Sequence, residues 1–245
     1  KFLWESGKLT ELTKNTILYN IAFIILGNLL AVFVAILLNE MGSKIFKKVS
    51  QTMMFLPYFI SQVLVGILIY NLLNYDYGFV NSILTALGRE KWGPYSDASV
   101  WPVILVLVHL WQQTGYNSVV YFAAIMGIDA EIIEAAKVDG AGRLQRIRHI
   151  TLPGIKSAVV TVLILSIGSF LGGGMVGSNF EQSFLMGNTI NNSTSEIIQT
   201  YAFKLGMSEG RFSYATAVDF IQSLVSITLV IISNRIAKRF NEEGL

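Results

Sequence analysis

TILYNIAFIILGNLLAVFVAILL, residues 16–38, contains no charged residue. Hydrocarbon cannot hydrogen-bond backbone N–H and C=O groups. A stretch of roughly 20 apolar residues that enters a bilayer must therefore satisfy them internally, as a helix long enough for the ~30 Å core. Four further stretches read the same way: residues 52–73, 100–126, 155–176 and 212–237. The composition agrees, since 53% of the 245 residues are hydrophobic, 14% are charged and the mean hydropathy of +0.55 exceeds what a soluble core needs. The expectation is an all-α, polytopic bundle of transmembrane helices, with residues 1–245 forming a single membrane domain. No internal repeat or low-complexity tract stands out, and four prolines leave little for a flexible linker. Zero cysteines exclude disulfides and thiolate metal sites.

Cytoplasmic loops retain Lys and Arg, so their distribution orients the runs. Lys44, Lys47 and Lys48 follow the first run, Lys137, Arg143, Arg146, Arg148 and Lys156 surround the connection after the third, and Arg235, Lys238 and Arg239 lie in the tail. The opposite side holds Lys1, Lys8, Lys14, Arg89, Lys91, Lys204 and Arg211. The eleven are placed in the cytoplasm against the seven outside, which makes the C-terminus and the 127–156 connection cytoplasmic. Five crossings then put residue 1 outside, and position 1 is Lys rather than Met. At least one further crossing is expected to precede it, and no secretory signal is recognised. The outer segments 74–99 and 177–211 are polar, and aromatics such as Tyr75, Tyr77, Trp92, Tyr95 and Trp101 are read as an interfacial belt.

Within 127–156 lies EAAKVDGAGRLQRIRHITLP, residues 134–153, an island of charge in an apolar chain. Asp129 suits an N-cap, Glu131 and Glu134 fall where the helix dipole favours anions, and Ala135, Ala136 and Lys137 propagate a short helix. Asp139-Gly140 offers a left-handed residue that ends it and reverses the chain. Leu144, Ile147 and Ile150 then recur at three-residue spacing beside Arg143, Arg146, Arg148 and His149, and Pro153 is expected to mark the break before the next membrane helix. On physical grounds alone, a protein-docking knob and a basic loop lying against anionic lipid both stand open.

The residues themselves bring a resemblance. Glu134, Ala135, Ala136, Asp139, Gly140, Ala141, Ile150, Leu152 and Pro153 match the EAA loop of bacterial ABC importer permeases, E-A-A, two residues, D-G-A, then I-x-L-P. LLNEMGSKIFKKVSQTMMFLPYFIS at 37–61, with NFEQSFLM, FSYATAV and SNRIAKRF, is similar to the carbohydrate-uptake branch, in particular to polysaccharide permeases of the LplB group. Ile147 stands where that family usually has Phe, Gly142 where Ser is common and Ser157 where Pro is frequent. The resemblance implies a type I importer permease core of six helices, five visible here, in the bacterial cell membrane. It also implies a cytoplasmic coupling helix seated in a cleft of an ATPase subunit. The implied partners are a second homologous permease subunit, two copies of the ATPase, an extracellular binding protein (often a lipoprotein) and a carbohydrate, an oligosaccharide in the sense of the branch, together with membrane lipid. No nucleic acid is expected. The chain has no G-x-x-x-x-G-K-[ST] phosphate loop, so it is not an enzyme on this reading, and ATP and Mg belong to the partner ATPase. Glu134 and Arg143 are assigned charged contacts with that ATPase, and the two alanines close approach.

Polar side chains in a membrane run line a wet path or pair between helices. His109, Gln113 and Asn117 recur at i, i+4 and i+8, with Gln112 and Tyr116 beside them, and Asp219, Gln222, Ser223 and Ser226 are assigned one face of the last run. Amides and carboxylates match sugar hydroxyls, and rings such as Tyr58 or Tyr116 stack on sugar faces. Gln62 joins these candidates. Gly172, Gly173 and Gly174 weaken the fourth run, so 170–186 is expected to be irregular, with Phe180, Glu181 and Gln182 at the outer mouth. An ion-gradient-driven secondary transporter is the alternative function. Such a protein would be expected to carry buried carboxylates or an inverted repeat, and only Asp219 is a clear candidate.

Overall fold

Helices make up nearly all of the regular structure in residues 7–168 and 179–241, the parts of the chain described by a computed structural model, and no strand occurs among them. The run at 16–38 lies inside α1, Lys8–Glu40. Ser43 accepts the N–H of Phe46 and starts α2, Lys44–Phe55. The expected single helix over 52–73 is not formed. A 3₁₀ turn, Leu56–Phe59, follows α2, and Ser61, with extended backbone, caps the separate α3, Gln62–Leu73. Pro57 supplies no backbone donor, and the capping hydroxyl of Ser61 offers the chain a fresh start.

The segment 74–99 contains α4, Phe79–Ala86, and α5 is Trp101–Met126. Next come α6, Ala130–Val138, α7, Arg143–Gly154, and α8, Lys156–Gly168. The break before the next long helix falls at Ile155, two residues after Pro153. A π turn, Ile147–Thr151, in which the Leu152 N–H reaches Ile147 O, precedes it, and a proline in the first turn after such a register shift loses no needed donor. The bend of 55° comes later, between α7 and α8. Residues 170–178, including the three glycines, lie outside the described residues. Residues 179–186 are not irregular but form α9, Asn179–Met186, followed by α10, Asn192–Ser195, α11, Ile198–Glu209, and α12, Phe212–Asn241.

Length and composition alone single out fewer runs than the five expected. Among the described residues, α1 and α12 are each long and apolar enough to cross a membrane, and the count reaches four if the broken pairs Lys44–Phe59 with Gln62–Leu73, and Arg143–Gly154 with Lys156–Gly168, are each one span. The 26-residue α5 is long enough, but His109, Gln112, Gln113, Thr114 and Asn117 dilute its apolar character.

The described chain forms two compact units. The first comprises the described residues of Lys1–Ala22, Ile60–His109 and Ser169–Ile227. Its interior is knitted by amides. Asn15 donates to Ser193 O (3.1 Å) and Glu196 O (3.0 Å), Tyr19 OH to Thr194 O, and Asn179 to Asn20 Oδ1 (2.7 Å), while Thr16 Oγ1 accepts the Ile198 N–H. Gln182 donates to Leu105 O at 2.7 Å, and its side chain hydrogen-bonds His109. Helix ends buried among helices leave such backbone groups to be satisfied, which is why polar side chains recur here. Asn81 ties the 74–101 segment together, donating to Asn74 O (3.1 Å) and Trp92 O (2.8 Å) and accepting the Trp92 N–H (2.7 Å). Trp101 is not interfacial. It is fully buried, donates to Pro94 O (2.9 Å) and meets Tyr95 edge-on, and burial pushes the Tyr95 hydroxyl up to about 12.

The second unit comprises the described residues of Phe23–Phe59, Leu110–Gly168 and Thr228–Leu245. Its core joins Ala31 and Ala35 of α1 to Tyr121 and Ile125 of α5 and to Ile155. The Tyr121 hydroxyl donates to Asn28 Oδ1, so the polar residue in the middle of the first apolar run has an internal partner. At Gly115, α5 meets the backbone of α2 so closely that a Cβ would lie 1.8 Å from Met54 O.

Candidate functional site

The second unit holds the charged island. Asp129 accepts the Glu131 N–H at 2.9 Å and starts α6. The helix ends on Gly140, whose φ of +77° is left-handed. Gly140 N–H reaches Lys137 O (3.1 Å) and Ala141 N–H reaches Ala136 O (2.9 Å), the pair of bonds that turns the chain back without orphaning the last carbonyls. Arg146 donates to Ala141 O (2.8 Å), and Gly142 N–H to Gln145 Oε1 (2.7 Å), so the reversal is braced from both sides.

Glu134 and Ala135 are exposed and Ala136 is half-buried. Among the described residues, Glu134 forms no ion pair. Arg143 lies 3.8 Å from Glu40, but its side chain is 78% exposed, so this contact leaves its charge in solvent. Asp139 is exposed at the end of α6, Ile150 is half-buried, and Leu152 and Pro153 are exposed. Val138, 89% exposed, and Leu144, 77% exposed, flank the reversal. The result is a capped helix and reversal with uncovered apolar side chains, among them Ile132, Val138 and Leu144, and a carboxylate, a surface suited to a protein partner.

In the same unit Tyr58 and Tyr116 stack, with ring centroids 4.2 Å apart and planes at 7°. Phe55 is tilted against both, and Phe59 meets Phe55 and Tyr58 edge-on. Two of the sequence candidates are thus brought together by the 3₁₀ turn at Pro57, while Phe55 and Phe59 were missed. Their aromatic neighbours in sequence, at 55, 58 and 59, were the signal. Gln112 and Gln113 are buried and Asn117 is half-buried.

The first unit contains the other candidates. Phe180, Phe184 and Phe203 form an aromatic triad, with Phe203 edge-on to both others at 5.2 and 5.1 Å. Phe180 and Phe203 line a cavity of about 320 Å³ with Gln199, Met207, Phe212 and Asp219. Phe180 and Asp219, distant in sequence, therefore share one cavity, and Phe203, Phe212 and Gln199 join them unforeseen. Glu181 is exposed on α9. Gln62 starts α3. The proposed single face of α12 divides: Asp219 and Ser223 are exposed, whereas Gln222 is buried, and its Nε2 has no hydrogen-bond partner among the described residues. No cluster of metal-ligating side chains occurs among the described residues.

The chain superposes, over its whole length, on 83% of a chain in the crystal structure of a bacterial alginate ABC transporter in complex with alginate pentasaccharide-bound periplasmic protein, with a TM-score of 0.92 and 31% identity. It is 40% identical over 214 residues to the polygalacturonan/rhamnogalacturonan transport system permease protein YteP of Bacillus subtilis (strain 168), an alignment covering 87% of this chain and 65% of that protein. It is 39% identical over 211 residues to Protein LplB of the same organism, covering 86% and 65%. The chain thus spans 65% of the length of these relatives. Residues 27–242 match the family model, and the chain belongs to the binding-protein-dependent transport system inner membrane component family.

Proposed function

We propose that this chain is a permease subunit of an ATP-driven importer that takes up a carbohydrate handed over by an extracellular binding protein. The observation that carries the proposal is the capped helix α6 with its left-handed reversal at Gly140, exposed within a chain of this family. On this reading the 127–156 connection and the C-terminus are cytoplasmic. Glu134, Ala135, Ala136, Val138 and Leu144 meet the ATPase. ATP and Mg are held by that partner, and a second permease subunit completes the path. Support for the sugar comes from the stacked Tyr58 and Tyr116 beside the amide-bearing face of α5, since aromatic faces and amides suit sugar rings and hydroxyls. The deciding experiment is purification of the chain with its ATPase and partner permease, followed by reconstitution. ATP hydrolysis stimulated by sugar-loaded binding protein, with accumulation inside vesicles, supports the reading. Uptake driven by an ion gradient without ATP overturns it.

Two substitutions test its parts. Gly140→Val is expected to lower uptake at normal membrane abundance, because a β-branched residue disfavours the left-handed backbone by ~1–2 kcal/mol and loosens the reversal. Unchanged transport would remove the need for a rigid turn. Tyr116→Ala is expected to lower uptake roughly 2- to 10-fold with ATPase recovery unchanged, the factor that ~0.5–1.5 kcal/mol of stacking carries. Loss of complex recovery instead, for this variant and for Asn117→Leu, would make the cluster helix packing rather than path.

A further inference from the structure

The carbohydrate-importer reading leaves the class of sugar open, and the cavity between α11 and α12 bears on it. Its aromatic wall is Phe180, Phe203 and Phe212, its polar groups include Gln199, and its charged group is the carboxylate of Asp219. The volume, about 320 Å³, falls in the range of small-molecule pockets, ~300–1,000 Å³. Phe212 and Asp219 are separated by two helical turns of α12, so the ring and the carboxylate stand on one face. Among the described residues, no Lys, Arg or His pairs with Asp219.

The rest of the unit offers little positive charge to compensate. Its described residues carry eight carboxylates and six Lys or Arg. Four of those cations are already engaged. Lys204 lies 2.7 Å from Glu196 and Arg211 3.2 Å from Glu209, while Lys8 sits over the Tyr201 ring and Lys91 over Tyr75. The sequence candidates for the path likewise include Glu181 and Asp219 but no Lys or Arg. A sugar carboxylate entering this cavity would meet like charge with no Lys or Arg in the lining to receive it, whereas hydroxyl groups would find acceptors and ring C–H faces would find phenyl rings.

The geometry points to an uncharged saccharide as the ligand of this cavity, so that the importer, if the reading above holds, selects neutral oligosaccharides over polyuronates. Polygalacturonan and the acidic polysaccharide alginate, named for two similar proteins, fall outside this selection.

The test uses cells holding the intact transporter with its own binding protein, supplied separately with labelled neutral galacto- and gluco-oligosaccharides and with labelled oligogalacturonides, EDTA being present to remove divalent bridging. Neutral oligosaccharides are expected to enter and oligogalacturonides to be excluded. Asp219→Asn should raise the ratio of oligogalacturonide to neutral uptake about tenfold, corresponding to ~1.4 kcal/mol. Phe203→Ala should depress neutral uptake at unchanged membrane level. Because each variant is compared with wild type beside the same binding protein, a change in ratio belongs to the permease. Wild-type uptake of oligogalacturonides at or above the neutral rate, or an unchanged ratio in Asp219→Asn, overturns the inference while leaving the importer reading intact. Failure of both sugar classes to enter by an ATP-dependent route overturns the importer reading as well. If Asp219→Asn does not accumulate, Asp219→Ser is read in the same way: an unchanged ratio counts against the inference, and a raised one supports it.

Discussion

Gly115→Ala, a methyl added at the single glycine of α5, is expected to lower stability enough to reduce the amount of folded protein recovered from membranes. The added Cβ would lie 1.8 Å from Met54 O, 2.3 Å from Met54 C and 2.8 Å from Phe55 N. All three are backbone atoms, so no rotamer change relieves the clash and α2 must move away from α5. Inserting a methylene into a packed core costs ~1–3 kcal/mol, occasionally more, and an immovable backbone places this case at the upper end. The usual gain of ~0.5–1 kcal/mol from replacing a helical glycine by alanine is too small to offset it. Gly27→Ala in α1 is the control, because its Cβ would meet only Leu110 Cδ2 at 4.0 Å. Thermal unfolding in detergent should separate the two, with Gly27→Ala unchanged or improved and Gly115→Ala lowered. Equal midpoints would show that α2 yields easily and that the close crossing carries no constraint. The crossing lies next to Tyr116, so movement of α2 would also disturb the Tyr58–Tyr116 stack.

Glu134→Lys is expected to weaken recovery of the ATPase with the chain, or to leave ATP hydrolysis running without uptake. Glu134 is exposed on a helix that is capped at both ends, and among the described residues it has no ion-pair partner of its own. Two explanations for a carboxylate there make different demands. Complementing its own helix dipole is worth ~0.3–1 kcal/mol, which would change stability slightly and transport hardly at all. A charge-assisted contact with an Arg or Lys of the ATPase is stronger than a neutral hydrogen bond, and reversing its sign converts attraction into repulsion. Recovery of function by a reversed charge on the ATPase side would establish the contact. Near-normal uptake and copurification in Glu134→Lys would leave only the dipole.

Much of the projection around Glu134 was legible in the sequence because its determinants are local. The Asp129 cap, the propagating alanines and the left-handed glycine each act within a few residues, and the bonds from Gly140 and Ala141 back to Lys137 and Ala136 span one turn. The cavity near Asp219 was not legible in the same way. Phe180, Phe203 and Asp219 come from three separate helices, and no periodicity within one helix reports their meeting.

What the sequence by itself determined is the helical class and the long apolar elements, because a backbone that must close its own hydrogen bonds in hydrocarbon leaves few alternatives over residues 16–38 and 212–237. It also determined the local caps. The tertiary structure alone decided where polar residues in apolar runs find partners. Asn15 and Asn20 serve the 179–196 segment, Asn28 receives Tyr121, and Gln182 holds Leu105 O. The division of 52–73 at Pro57 and Ser61 is local by contrast, a proline and a cap that the apolar run concealed. The physical reason is the range of the forces. Periodicity and capping act over one or two turns, whereas the satisfaction of a buried amide depends on a carbonyl or amide up to 181 residues away, which only the packed chain brings within reach.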